Sequence, residues 1–148
     1  MKIFILAFSI LIGIGAFYYG IKMLRLYTRV KKWTKVKATI LEKKITGRKL
    51  ANASRANLIV VVEYVYSFHN KNYKGNKIFL VELLNGERSF YRDDAEKFMA
   101  KLQTEQDILV NPDNPEESVM FCEGAGLYFL MLVMGVISIL AGLINYVS

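Results

Sequence analysis

Apolar positions crowd the two ends of the chain. Ile3 to Ile21 is a run of 19 residues without a charge, and Gly124 to Ser148 is a run of 25. A helix rises ~1.5 Å per residue, so ~20 residues cross a hydrocarbon core ~30 Å thick. Both runs therefore predict transmembrane helices. The second has the stronger pattern, because Leu127 to Ile144 is almost wholly Leu, Val, Ile, Met and Phe. A buried core helix is the alternative for each run. A chain of 148 residues is too short to cover two such helices on every face. The first run also has features of a cleaved signal peptide, with Lys2 as a minimal basic start and Ala16 where cleavage could occur. Its length, and the basic residues that follow it directly, favour a retained helix.

Between the runs the period changes. Lys35 to Thr46 alternates Val36, Ala38 and Ile40 with charged neighbours, which predicts a strand. Gly47 to Ala56 is polar and without period, and reads as a loop. Leu58 to His69 is dense in β-branched and aromatic residues, the strongest strand signal in the chain. Asn70-Lys71 reads as a turn, with a returning strand from Asn72 to about Leu83. Asn85-Gly86 is a second turn signal. Asp93 to Gln103 has Ala95, Phe98, Met99 and Leu102 at helical spacing, and Asp93 with Glu96 suggests a capping box. Asp107 to Val110 reads as a short strand, and the two prolines of Asn111-Pro112-Asp113-Asn114-Pro115 shape a turn.

The expected fold class is thus a membrane protein of α+β type. Two transmembrane helices flank a small, mostly antiparallel β domain with one short helix. Residues 1–34 hold the first span (about 3–21) and a basic amphipathic juxtamembrane extension. Residues 35–122 form the β domain, and 123–148 hold the second span.

Charge sharpens this layout. The net charge is +7, yet residues 1–37 contain eight basic residues and no acid. The other twelve basic residues face thirteen acids, so the middle domain carries no basic stripe of the nucleic-acid-binding kind. The positive-inside rule places the domain in the cytoplasm, with both termini outside. Lys22, Arg25, Arg29 and Lys32 recur on one helical face, opposite Met23, Leu26, Tyr27, Val30 and Trp33. These cations serve as a topology signal or, on a sharper reading, as contacts for anionic lipid headgroups. Tyr18, Tyr19, Tyr27 and Trp33 would form an aromatic belt. Small residues four apart (Ser9 and Gly13, Ala16 and Gly20, Ser138 and Gly142) suit close helix pairing within the chain or in a homo-oligomer.

Reaction chemistry is thin. One Cys rules out an internal disulfide, and one His rules out a site that needs two imidazoles. His69 stands at a hairpin tip without a second His, and Cys122 has Glu123 beside it, which opposes thiolate formation. Asp93-Asp94 and Glu116-Glu117 lack the spacing of a calcium loop. Gly124-Ala125-Gly126 lacks the context of a phosphate loop. Neither span has an ionisable group at its centre, which disfavours an ion pathway. The expectation is no enzyme, no catalytic residue, no metal and no cofactor.

The order of features resembles a bacterial family of small two-helix membrane proteins catalogued as domain of unknown function 3592. The resemblance covers nearly the whole chain. It rests on Trp33 with Val36, Ala38 and Ile40; on Val62-Glu63-Tyr64-Val65-Tyr66 and its return with Tyr73 and Gly75; and on Ile108 to Pro115 with Ser118-Val119. The Asn-Pro-Asp-Asn-Pro segment is its most specific part. The family often has a Pro-Gly turn before the last strand, where this chain has Leu102 to Gln106. It also often has an aromatic run where this chain has Leu109-Val110-Asn111. The resemblance implies no site residues. Similar small proteins sometimes act as immunity proteins beside secreted toxins. Two functions follow as expectations. The first is a non-enzymatic membrane protein whose β domain binds a protein partner through His69, Asn70 and Lys71 and through Asn111, Asp113, Asn114 and Glu116. The second is an immunity protein against a membrane-acting or membrane-crossing toxin.

Overall fold

The structure is a computed structural model and describes residues 2–48, 57–122 and 124–147. In chain order its elements are α1 (Lys2–Val30), β1 (Thr34–Arg48), β2 (Asn57–Phe68), β3 (Lys71–Gly75) and a 3-10 turn (Leu80–Leu84). There follow β4 (Ser89–Phe90), α2 (Arg92–Lys101), β5 (Glu105–Val110), β6 (Ser118–Val119) and α3 (Gly126–Val147). Two long apolar terminal helices flank a six-stranded antiparallel sheet with one short helix. The chain divides into two compact units. One is Met1–Arg29 with Gly124–Ser148, and the other is Val30–Glu123.

In the helical unit, α1 and α3 are each long and apolar enough to cross a membrane. Their large side chains face outward, with Phe4 75% and Ile144 66% exposed. The two helices meet through small residues. A Cβ at Gly13 would strike Ile139, and one at Gly135 would lie 2.9 Å from the Gly13 carbonyl oxygen. A Cβ at Gly20 would lie 2.7 Å from Leu132, and Gly142 faces Ser9. The Ser138 hydroxyl donates to the Ser9 carbonyl at 3.2 Å. Backbones that approach this closely gain dispersion and interhelical hydrogen bonds, the main attractions left when apolar burial is not a driving force. Of the small residues paired in the sequence, Ser9 meets Ser138 and Gly142, whereas Gly13 lies against Gly135 and Ile139, and Gly20 against Leu132. α1 is longer than its apolar run and stays helical through the basic residues to Val30.

In the β unit the sheet order is β3-β2-β1-β5-β6, with β4 paired to the start of β2. Alternate residues of β2 (Val60, Val62, Tyr64, Tyr66 and Phe68) enter the core, as a strand with one covered face requires. Ala95 and Leu102, with Phe98 and Met99 beside them, bring the α2 region against that face. Phe79, Phe90, Phe98 and Phe121 form an aromatic cluster with ring centroids 5.3 to 6.3 Å apart. The register of β1 against β2 shifts between Ile40 and Glu42, a β-bulge at Leu41. Before it Val36, Ala38 and Ile40 turn to the core; after it Ile45 does. Lys43 reaches the C-terminal end of α2 and donates to the carbonyls of Met99 and Leu102, both at 3.1 Å. A cation there satisfies open carbonyls and complements the helix dipole.

Several local expectations are corrected. β1 continues through Gly47 and Arg48, because both pair with β2; the rest of the expected loop lies outside the described residues. The hairpin turn is His69-Asn70, one residue earlier than read, and Lys71 already belongs to β3. The returning strand stops at Gly75. Beyond it Lys77 and Ile78 accept hydrogen bonds from Met120 and Phe121 at 3.0 and 2.8 Å, so the chain leaves β2 for the segment before α3. The 3-10 turn follows because the Glu82 carboxylate accepts the Ile78 N–H at 2.7 Å and Asn85 takes a left-handed backbone, φ 60°. α2 starts from Tyr91 without a side-chain cap, so no capping box forms; Asp93 and Asp94 sit inside its first turn, near the positive end of the dipole. β4 is a short strand that the sequence pattern did not disclose. Trp33, read in the sequence as part of an aromatic belt, is 8% exposed.

Candidate functional site

The register of the sheet decides which loops can act together. Thr34 pairs with Val110, and Val110 pairs with Ser118. On the other side of β1, Ala38 pairs with Tyr66, so counting back along the strand sets Thr34 level with Asn70. One end of the sheet therefore carries the hairpin tip His69–Lys71, the turn from Asn111 to Glu117, and the point where α1 hands the chain to β1. β2 and β5 both flank β1, so the bases of the two loops are ~10 Å apart at ordinary strand spacing.

Tyrosines brace this end. The Tyr66 hydroxyl donates to the Pro115 carbonyl at 2.7 Å, tying β2 to the turn. The Tyr64 hydroxyl lies 3.0 Å from both the Lys77 carbonyl and the Ser118 Oγ. Tyr64 and Ser118 are both buried, and the pairing satisfies groups that would be costly to leave open. Burial pushes both phenols above their ordinary range, most strongly for Tyr64. Gly75 is needed where it stands, since a Cβ there would strike the Tyr64 ring and come within 2.6 Å of the Ser118 Oγ.

The turn is built around Asn111. Its backbone N–H donates to the Glu117 carbonyl and its Nδ2 to the Glu117 carboxylate, each at 2.9 Å. Its Oδ1 accepts the Asp113 N–H at 3.1 Å, and the Glu117 N–H donates to the Asn114 carbonyl at 2.9 Å. Asn111 thus holds the loop in shape, while Asp113, Asn114 and Glu116 stay exposed. Glu117 is the partner that sequence reasoning missed; its spacing of six from Asn111 follows no regular element.

At the hairpin tip, His69 and Asn70 both have positive φ, 50° and 62°. Two such residues in succession make the two-residue turn whose twist matches the flanking strands. Asn accepts this backbone readily. The His69 ring stacks on Phe68 with centroids 4.1 Å apart. His69, Asn70 and Lys71 are exposed. Of the basic residues singled out after the first apolar run, Lys22, Arg25 and Arg29 are exposed on α1, and Lys32 is exposed just past its end.

Elsewhere the groups stay apart. Burial pushes the Cys122 thiol up, with Lys31 pulling the other way more weakly, and a raised thiol is a poor nucleophile. Among the described residues no three His, Cys, Asp or Glu side chains gather as metal ligands. Two open cavities, of about 390 and 410 Å³, lie along strands β1 to β3. Their linings are partly polar, with Lys37, Ser67 and Asn72 in one and Glu63, Lys74 and Asn76 in the other. No protein-family model matches the chain, and no curated protein matches it.

Proposed function

We propose that the chain is a non-enzymatic integral protein of a bacterial inner membrane, and that the two-loop end of its sheet binds a protein partner close to the bilayer. One observation carries this reading. The hairpin tip and the Asn111–Glu117 turn share the end of the sheet at which α1 joins β1. A partner seated on both loops would lie at the end of the sheet that α1 leads into. The braced turn supports the reading, since a loop held in one shape loses less entropy on binding. Exposed Asp113, Asn114 and Glu116 beside Lys71 offer both signs of charge.

Photo-crosslinking groups placed at Asn70, Asn114 and, on the far half of β1, Lys44 test the site in living cells. The same adduct should form from Asn70 and Asn114 and be absent from Lys44. Equal adducts from all three positions, or none from the loops, would remove the proposal. The side of the membrane is tested separately with Asn114→Cys in a Cys122→Ser background and an impermeant maleimide. The positive-inside reading expects labelling only after permeabilisation. Labelling of intact cells would turn the loops to the envelope side and favour the immunity reading.

A further inference from the structure

We propose that the C-terminal part of α1 is a binding face for anionic phospholipid headgroups, built from Lys22, Arg25 and Arg29 and extended by Lys32. The helix continues for nine residues past Ile21, the last residue of the apolar run. At 3.6 residues per turn, Lys22, Arg25 and Arg29 fall within ~60° of one another around the helix, over a length of ~10 Å. All three are exposed, whereas Met23 and Val30, which lie away from this stripe, are buried. None of the three makes an ion pair among the described residues, and the sequence has no acid before Glu42. Tyr18 and Tyr19 stand exposed one turn earlier, where amphipathic rings suit the headgroup level.

These features select the ligand. An unpaired guanidinium matches a phosphodiester through two parallel N–H···O bonds. A row of cations directly after an apolar run meets such groups at the membrane surface, on the side where anionic lipid concentrates. A cation at a helix C-terminus also favours the helix itself, but that effect fades within the last turn, and Lys22 lies two turns back.

The inference rests on the reading of α1 as a membrane span. The full chain, purified in mild detergent, is titrated with phosphatidylglycerol or with phosphatidylethanolamine, and bound lipids are counted by native mass spectrometry. Membranes from the same cells are washed with alkaline carbonate to test insertion. Each cation near an anionic surface is worth about fivefold in affinity, so Lys22→Gln with Arg25→Gln and Arg29→Gln should weaken phosphatidylglycerol binding on the order of a hundredfold. Arg25→Lys with Arg29→Lys keeps the charge and should retain most of the binding, which guards against misfolding of the neutral variant. Wild-type binding should weaken as salt rises. Equal binding of the two lipids by the wild type, or unchanged phosphatidylglycerol binding by the neutral variant, would overturn the inference while leaving the span intact. A wild-type chain removed by carbonate would overturn the span and this inference together.

Discussion

In the helical unit Phe4, Phe129 and Ile144 stand out from the surface, whereas in the β unit Phe79, Val62 and Ile108 are covered. The residue types are the same, and the direction in which they point is reversed. Water drives the second arrangement, since each buried apolar side chain of this size is worth about 1.5–3 kcal/mol relative to exposure. The first suits a lipid surround, where an apolar side chain loses nothing by facing out. Specific pairing then falls to the smallest residues, Gly13, Gly20, Gly135 and Gly142, and to one hydroxyl, Ser138. In the β unit the fit is made by large rings. The contrast locates where each unit is fragile: at its bulky residues in one, at its missing side chains in the other.

Phe79→Ala should break the β unit hardest. Phe79 is 4% exposed and touches three other rings of the aromatic cluster, so the loss should be about 3–5 kcal/mol. Denaturant unfolding of the detergent-solubilised chain, followed by near-ultraviolet circular dichroism, measures it. A loss below about 1 kcal/mol would contradict the role of the cluster.

Gly135→Leu attacks the helical unit at the contact where backbones come closest and should cost about 1–3 kcal/mol by overpacking. Disulfide formation between Ser9→Cys and Ser138→Cys, in a Cys122→Ser background, should slow sharply. The unfolding curve of the β unit should not move. Undiminished crosslinking would show that the helices do not meet there.

Tyr64→Phe sharpens the comparison by removing one polar atom from an aromatic core. It leaves the Ser118 hydroxyl and the Lys77 carbonyl without this partner, at about 1–3 kcal/mol. A pH signature accompanies it. The native state holds the Tyr64 proton more tightly than the unfolded state does. That contribution is complete below a pH of about 10.0, the ordinary phenol value, and is lost as pH rises beyond it. The phenylalanine variant should therefore lose less stability than the wild type between neutral and strongly alkaline pH. Parallel pH curves for the two proteins would exclude the buried phenol as the cause.

Phe129→Ala makes the smallest change. Phe129 is 62% exposed, so the substitution should shift stability by less than about 0.5 kcal/mol in detergent. A loss approaching that of Phe79→Ala would mean that the outward face of α3 is packed against protein.

Much of this architecture was legible from period alone. Long uncharged runs mark α1 and α3, and the β-branched density of Leu58 to Phe68 marks β2. What stayed hidden depends on partners distant in sequence. Lys77 and Ile78 look able to extend β3, yet Met120 and Phe121, more than 40 residues on, take up their carbonyls. Two-residue β4 has too few positions to show alternation and exists because Leu58 and Ile59 lie beside it. Asp93 and Glu96 have the spacing of a cap, but the helix starts two positions too early to use it. For the candidate site, the two loops were readable as turns. Their shared end of the sheet was not, because it follows from pairing register across β1, which no local pattern encodes.

Leu41 gives β1 one residue more than its partner strand. That spare residue works like a frame shift placed inside a single strand. Upstream of it even-numbered positions belong to the interior; downstream the odd-numbered ones do. Glu42 and Lys44 owe their exposed positions to it, as Ile45 owes its place among core residues and Lys43 its reach to α2. The same sequence paired without a bulge, with Leu41 in the ladder, would keep the same composition and the same order of elements. It would nonetheless offer two charges to the interior and withdraw the clasp on the short helix. In β1, pairing register is therefore as much a part of the specification as residue type.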